Sequence, residues 1–246
     1  MSEKKSDIFQ YLSSLEQKLS LRKFVRRSLK DIENYPLAKG QAHYILDFSK
    51  STVSYQKGIE ELLGYSPEEF SFKLAASYFH PDDADIVTRL MKATLMFASE
   101  NDVSKNVSFS LIYRIKKKDG SFIKVFRQSN TFDVDEQGKI ISNLSVISDI
   151  TFLSTVSKVE WRFEAPGLDQ EKFREYVTKE YKGFFSEKEK NVIQLLNQGL
   201  SSKEAAEKLQ LSKHTVDTHR RKILKKAQCK NTVELINFCK HNGIIN

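Results

Sequence analysis

The chain has 246 residues, of which 39% are hydrophobic and 29% charged, and its formal net charge is +8. This length allows two modest domains, each with its own apolar core. No apolar run approaches the roughly 18 residues that a membrane-spanning helix needs, and the N-terminus lacks the apolar stretch of a secretory signal. These features predict a cytoplasmic protein with no membrane partner, in which Cys229 and Cys239 stay as thiols.

Residues 1–39 are predicted to form a helical segment. Apolar residues recur at helical spacing through residues 6–33, and Pro36 and Gly40 end the pattern. The apolar face of this segment needs a partner, so we expect a homodimer in which a second copy of the chain covers the face. The residues expected at the main contact are Leu12, Leu15, Leu19 and Val25. The alternative is that the helix folds back on its own chain.

The next region starts with strand-like residues, continues as helices and returns to strands. Its last part alternates apolar and polar residues over 107–115, and Asp119-Gly120 then gives a tight turn. A second strand begins at Phe122, a second turn lies at Gly138, and a third strand covers residues 140–150. The pattern predicts a three-stranded antiparallel meander.

Residues 158–183 form a connector between the two halves of the chain. Val159, Trp161 and Phe163 alternate like a short strand, and residues 169–182 carry apolar side chains at helical spacing. Because the connector is too apolar for a flexible linker, we expect it to pack on one of the two domains.

The C-terminal residues 184–246 contain four helix starts. Two are capping boxes, Ser186 with Glu189 and Ser201 with Glu204. Ser212 can cap the third helix. A third capping box, Asn231 with Glu234, precedes the fourth helix. The sequence therefore predicts a small all-helical domain.

The third of these helices has a basic outer face. Val216, Ile223, Leu224 and Ala227 make one apolar stripe, while basic residues point away from it. Residues 184–246 carry 12 Lys or Arg against 6 Asp or Glu. A short helix, a tight turn and a basic helix are typical of the helix-turn-helix, whose second helix enters the major groove of DNA.

This C-terminal region resembles the DNA-binding domain of the LuxR family, also found in NarL-type response regulators. The matching segments are Phe185 to Glu189, Gly199 to Leu209 and Leu211 to Leu224. The resemblance implies that Asp217, Thr218 and Arg221 face the bases and that Lys203 and Thr215 lie near the DNA backbone. The other predicted DNA-binding residues on the outer face are His214, Lys222 and Lys225.

Asp217 departs from the family pattern, because many relatives have a basic or neutral residue there. An acidic side chain can accept a hydrogen bond from the cytosine amino group, or it can repel phosphate and so sharpen specificity. The sequence is compatible with both interpretations of Asp217.

Residues 42–151 resemble a PAS domain of the PAS-fold-3 kind. The matching pieces are residues 44–48, 58–70, 78–83, 118–121 and 147–151. The resemblance implies a five-stranded antiparallel sheet flanked by small helices. It also implies that the domain senses a ligand or cofactor, or else mediates protein contacts.

No cofactor, metal ion or catalytic residue is expected. Residues 42–151 contain no cysteine, which excludes the flavin–cysteine chemistry of LOV domains, and neither His43 nor His80 is a convincing haem ligand. Asp82, Asp83 and Asp85 are spaced unlike a calcium loop. The Phe-rich interior is expected to be solid core, with a small-molecule pocket as the alternative.

The sequence therefore predicts an α+β protein in four parts. They are an N-terminal dimerisation segment (1–39), a PAS sensor domain (40–157), a connector (158–183) and a LuxR-type helix-turn-helix domain (184–246). We expect a transcriptional regulator whose partner is double-stranded DNA, with a small-molecule or protein signal acting on the PAS domain. The alternative is a PAS domain that serves as a docking module for a partner protein. An enzyme is not expected, because no phosphate-binding loop, metal cluster or nucleophile motif is present.

Overall fold

The computed structural model describes residues 2–104, 107–153, 159–181 and 183–245. The chain divides into two compact units, Met1–Tyr176 and Val177–Asn246. The predicted boundary between PAS domain and connector, at residues 157 and 158, lies outside the described residues.

The first unit is built on one antiparallel sheet of six strands in the order β2-β1-β5-β4-β3-β6. The strands are β1 (Gln41–Asp47), β2 (Thr52–Lys57), β3 (Ser108–Lys116), β4 (Phe122–Val134), β5 (Ile140–Asp149) and β6 (Glu160–Glu164). The predicted meander is confirmed as β3, β4 and β5. Its two turns contain Gly120 and Gly138, whose positive φ angles of 89° and 74° suit glycine.

Five strands were expected for the PAS fold, and the sixth comes from the connector. β6 pairs with the edge strand β3, with Phe163 opposite Phe109. Phe163 also stacks on Phe173, with 3.9 Å between ring centroids, and contacts Phe97 edge-on at 5.0 Å. Phe163 and Phe173 of the connector are thus covered by the first unit, in agreement with the expectation that the connector packs on a domain.

Short helices cover the sheet. They are α2 (Lys30–Glu33), α3 (Ile59–Leu63), α4 (Phe72–Ala75) and the longer α5 (Ala84–Glu100). α5 is apolar nearly all round, with Ile86, Leu90 and Phe97 fully buried, because it is covered on more than one side. One of its neighbours is β5 and another is the N-terminal helix α1 (Ser2–Leu19).

The N-terminal segment differs from the prediction in two respects. The helix ends at Leu19 rather than near residue 33. Leu12, Leu15 and Leu19 are 4%, 4% and 0% exposed within a single chain, because α1 packs against α5. The expected dimer contact through these three leucines is therefore corrected, and the fold-back alternative describes the structure. Val25 is 88% exposed and lies beyond the helix.

Charge pairing explains why the helix stops. Arg22 pairs with Asp135 at 2.6 Å, Arg26 pairs with the buried carboxylate of Asp47, and the backbone N–H of Arg27 donates to Asp133 at 2.9 Å. The carboxylates of Asp47 and Asp133 are almost fully buried, so their pairing with this segment satisfies groups that would otherwise be costly. These long-range contacts outweigh the helical spacing of the sequence.

The second unit holds the four predicted helices after α6 (Gln170–Thr178), which crosses the boundary, and a short 3₁₀ turn at Lys179–Tyr181. They are α7 (Glu187–Asn197), α8 (Ser202–Leu209), α9 (Lys213–Lys226) and α10 (Thr232–His241). The capping boxes expected at Ser186 and Ser201 form, and Ser212 accepts the N–H of Thr215 at the start of α9. The third expected box forms only in part: Asn231 accepts from the N–H of Glu234, but the Glu234 carboxylate accepts from the N–H of Lys230 instead of that of Asn231. Each cap satisfies a backbone donor that the helix leaves unpaired.

Candidate DNA interface

A three-residue turn joins α8 to α9. Gln210 adopts a left-handed conformation with φ of 54°, and the N–H of Leu211 donates to the carbonyl of Ala206 at 2.9 Å. Ser212 then caps α9 by accepting from the N–H of Thr215 at 3.0 Å. A left-handed residue followed by a capped helix start reverses the chain sharply, as a helix-turn-helix requires.

The buried side of α9 fixes the direction in which the helix faces. Val216 and Ile223 are fully buried and Ala227 nearly so, and they share one apolar core with Ala205 and Ala206 of α8. The two alanines allow the helices to approach closely. Because this stripe is held in the core, the opposite side of α9 is presented to solvent.

The predicted DNA-binding residues fall on two helices. Lys203 lies in the first turn of α8, and the other seven lie on α9. The exposed ones are Lys203, His214, Arg221, Lys222 and Lys225, and the half-buried ones are Thr215, Asp217 and Thr218. On α9 the positions follow helical spacing, so the structure brings them onto the surface opposite the core.

The two predicted threonines already have local partners. The hydroxyl of Thr215 lies 2.8 Å from that of Ser212 and thus takes part in the helix cap. The hydroxyl of Thr218 accepts from the guanidinium of Arg221 at 3.4 Å. The second contact leaves Arg221 on the outer face, directed along the helix.

Asp217 is held in its ionised form. The Ser202 hydroxyl and the ammonium group of Lys213, whose Nζ is 3.1 Å from the carboxylate, keep the pKa of Asp217 below its ordinary value. A negative charge therefore persists beside the basic face, as either of the two readings of Asp217 requires.

Arg220, which was not among the predicted DNA-binding residues, has a structural position. Its Nε donates to the hydroxyl of Thr232 at 3.1 Å, and its Nη1 donates to that of Ser202 at 3.1 Å. The side chain thus ties α9 to the first residues of α8 and α10. Arg220 fixes the helices, and its neighbour Arg221 remains outside.

Lys226 also belongs to the scaffold. Its ammonium group lies 3.0 Å from the carboxylate of Glu189 on α7, and 5.8 Å and 5.6 Å from the ring centroids of Phe184 and Phe185. This combination of an ion pair and cation–π contacts holds the C-terminal end of α9 against α7.

His43 and His80, the two histidines of the PAS region, both have partners within the protein. His43 is buried, with Nε2 lying 3.2 Å from the hydroxyl of Tyr55, and burial lowers its pKa. His80 Nδ1 accepts from the N–H of Asp82 at 3.2 Å. Within the described residues no group of three His, Cys, Asp or Glu side chains could hold a metal ion, and no described helix is long and apolar enough to cross a membrane.

Family comparisons match the two halves of the chain separately. Residues 184–239 match the family of bacterial regulatory proteins of the LuxR type, and residues 52–147 match the PAS fold. The first match contains α8, the turn and α9. The second contains β2, β3, β4 and most of β5.

Two curated relatives match part of the chain. The chain is 41% identical over 59 residues to the transcription regulator BvgA of Bordetella pertussis, a match that covers 24% of this chain and 28% of BvgA. It is 30% identical over 92 residues to the response regulatory protein YgeK of Escherichia coli, covering 37% of this chain and 61% of YgeK. The chain thus spans less than a third of BvgA and about three fifths of YgeK.

Solved structures show more distant similarity. The phage VqmA–DPO complex is 14% identical, with a TM-score of 0.37 and 89% of each chain covered. A PAS domain from Colwellia psychrerythraea is 22% identical, with a TM-score of 0.36, covering 46% of this chain and 87% of that one. From the family matches and the fold, the chain joins a PAS domain to a LuxR-type helix-turn-helix domain.

Proposed function

We propose that the chain is a transcriptional regulator that binds double-stranded DNA through α9. In this proposal the PAS domain receives a signal that controls the helix-turn-helix, and the protein acts as a homodimer in the cytoplasm. The LuxR-family match and the similarity to BvgA support the regulatory role. The contacts of α9 support the mode of binding.

One observation carries the proposal. Arg221, Lys222 and Lys225 are exposed, and within the described part of the chain none of them forms an ion pair with an acidic side chain. By contrast, Lys213 and Lys226 on the same helix are paired with Asp217 and Glu189. Three uncompensated cations on the face opposite the core form a surface that suits the phosphates and bases of a DNA groove.

Within this surface we assign different tasks to different residues. Arg221 lies two turns into α9, where side chains of a helix-turn-helix reach base edges, and an arginine there pairs best with guanine. Lys203 and Thr215 lie at the N-terminal ends of α8 and α9, where positive helix ends favour phosphate. His214, Asp217, Thr218, Lys222 and Lys225 complete the proposed contact surface.

The homodimer is proposed on the geometry of DNA recognition. A pair of recognition helices reads two half-sites spaced by one helical turn, which requires two copies of the domain. The leucines of α1 do not supply the contact, because a single chain already buries them. The dimer surface therefore lies elsewhere.

The test compares two triple variants of equal net charge. In the first, Arg221, Lys222 and Lys225 become Ala; in the control, the exposed Lys188, Lys230 and Lys240, all outside α9, become Ala. Fluorescence anisotropy with duplex DNA over a range of salt concentrations gives affinity and salt dependence. We expect the first variant to bind much more weakly, with its salt slope lowered by about 2, since Arg221 is assigned to a base and each of the two lysines, as a phosphate contact, contributes about 0.9.

The control variant distinguishes binding by the α9 surface from binding by the overall positive charge of the domain. We expect it to bind DNA close to wild type. If both variants lose the same affinity, DNA is held by the overall positive charge of the domain, and the assignment of α9 fails.

A further inference from the structure

The interior of the first unit contains an arginine at the middle of its sheet. Arg127 lies on β4, which β5 and β3 flank, and it is opposite Ile147 and Leu111 in the two ladders. Its neighbours on the same face of β4 are Val125 and Ser129, which are also buried. Arg127 is only 4% exposed, so its charge lies in the core.

This charge has no acidic partner. In the described residues no carboxylate comes within ion-pair distance of the Arg127 guanidinium, and its buried Nε has no hydrogen-bond partner. Several other buried charges of this unit are paired. Asp83, for example, holds Arg114 at 2.6 Å, and Asp47 holds Arg26. A buried charge is strongly unfavourable unless it is paired, so Arg127 needs an explanation.

Three tyrosines from three parts of the chain surround the guanidinium. Tyr44 on β1, Tyr113 on β3 and Tyr78 after α4 are 0%, 0% and 4% exposed, and all three interact electrostatically with Arg127. The guanidinium carbon lies 5.5 Å from the centroid of the Tyr113 ring. The three buried hydroxyls lie near one another and near the guanidinium, but no hydrogen bond of normal geometry joins any of them to a described residue.

The tyrosines do not neutralise the arginine. Burial raises the pKa of Tyr113 to about 12 and that of Tyr78 well above its ordinary value, so both hydroxyls keep their protons at neutral pH. Arginine remains charged throughout this range. The cluster therefore offers one positive charge and neutral hydroxyl groups that can donate, with no anion to receive them.

Aromatic rings form the apolar part of the same region. Phe70 contacts Tyr44 edge-on at 5.3 Å and Tyr78 at 6.0 Å, and Phe79 contacts Tyr113 at 5.7 Å. A group bound at Arg127 would thus have an apolar body beside rings and a polar end beside the guanidinium. Such a mixture of apolar walls with a few convergent polar groups is typical of small-molecule sites.

We propose that Arg127, Tyr44, Tyr78 and Tyr113 bind a small organic monocarboxylate inside the PAS domain. The carboxylate accepts two hydrogen bonds from the Arg127 guanidinium and one or more from the tyrosine hydroxyls, and its single charge neutralises the arginine. The organic body packs on Phe70 and Phe79. The inference rests on the proposed sensing role of the PAS domain and names the chemical class of its signal.

The first experiment measures the thermal unfolding of the full chain with a panel of small monocarboxylates, from acetate and propionate to benzoate and phenylacetate. Each acid is paired with its primary amide, which has the same shape without the charge, and sodium chloride controls for ionic strength. We expect at least one carboxylate to raise the Tm by about 3 °C or more near saturation, with little effect of its amide. If no carboxylate of the panel stabilises the chain beyond its amide, the proposal is overturned.

The second experiment repeats the measurement on variants. Arg127→Met keeps most of the length of the side chain and removes the charge, so we expect the carboxylate response to disappear while the free protein keeps or gains stability. Arg162→Met, on the exposed side of β6, is the matched control and should respond like wild type. Tyr113→Phe removes one hydroxyl with little change of shape and should weaken carboxylate binding several-fold even if Arg127→Met does not fold. A full response in Arg127→Met, or in Tyr113→Phe if Arg127→Met does not fold, contradicts the proposal.

DNA titrations of the same samples separate this inference from the proposed function. A chain that binds duplex DNA but responds to no carboxylate retains its proposed function and loses this ligand class. A chain that responds to a carboxylate but binds no duplex retains the ligand site and loses the DNA-binding assignment.

Discussion

The basic side chains of α9 divide into two groups by their partners. Arg220 and Lys226 bind other helices of the unit, through Ser202 and Thr232 in one case and Glu189 in the other. Arg221, Lys222 and Lys225 bind no acidic group of the described residues and are exposed. Adjacent residues of the same type thus have opposite tasks, set by which side of the helix they occupy.

At Arg221 we predict a loss of sequence discrimination. Arg221→Ala should cost about 1–3 kcal/mol on a preferred duplex and less on a random one, because a bidentate contact to guanine is lost. Lys203→Ala should weaken binding to both duplexes about equally and lower the salt slope by about one, as expected for a phosphate contact. Anisotropy titrations on both duplexes provide the comparison. Equal losses on both duplexes for Arg221→Ala would show that this residue does not read bases.

At Arg220 we predict a loss of stability instead. Arg220→Ala removes two hydrogen bonds and leaves the buried hydroxyl of Ser202 without this partner, which should cost about 1–3 kcal/mol of unfolding free energy. Arg221→Ala serves as the neighbouring control and should change stability by less than about 0.5 kcal/mol. Chemical denaturation followed by circular dichroism measures both. If the two variants are equally stable, Arg220 does not hold α9 to α8 and α10 as assigned.

Among the elements, those specified locally could be predicted from the sequence and those specified at long range could not. The starts of the four helices of the second unit were predictable because each cap is made within a few residues; the capping residues are Ser186, Ser201, Ser212 and Asn231. The meander was equally predictable, since alternation and turn glycines are local features. The end of α1 was not, because the ion pair of Arg22 with Asp135 joins residues 113 positions apart.

The two candidate sites also differ in whether local sequence or long-range contacts specify them. The outer face of α9 could be predicted from helical spacing together with the family resemblance. The polar core of the PAS domain could not, because the alternation within β4 does not reveal that Arg127 faces inward or that Tyr44 and Tyr78 meet it from other strands and loops. The sixth strand was also beyond prediction, since nothing in the connector sequence specifies its pairing with β3.

For the N-terminal helix we predict a role in the stability of its own domain. Leu15→Asp places a charge in the contact between α1 and α5 and should destabilise the first unit by about 3–5 kcal/mol. Ser14→Asp puts the same charge on the exposed side of α1 and should have little effect. Thermal unfolding gives the stabilities, and light scattering gives the mass. A variant Leu15→Asp that stays as stable as wild type but changes from dimer to monomer would return this face to the dimer contact.

The whole molecule consists of two units that differ in their chemistry. The PAS unit holds a buried, uncompensated positive charge, and the helix-turn-helix unit holds exposed ones. The first suits a small anion, the second a long polyanion. Because a ligand that binds one conformation better than another shifts the population, binding in the PAS unit can alter DNA affinity only if the two units are energetically coupled.

Selection from a random duplex library examines whether α9 reads a DNA sequence. The full chain is incubated with the library, bound duplexes are recovered over several rounds and sequenced, and Arg221→Ala is carried through in parallel. We expect wild type to enrich two related half-sites about one helical turn apart, and Arg221→Ala to lose the preference at one position of each half-site. Recovery of no preferred sequence by the wild-type chain, with binding that depends on salt alone, would contradict this expectation.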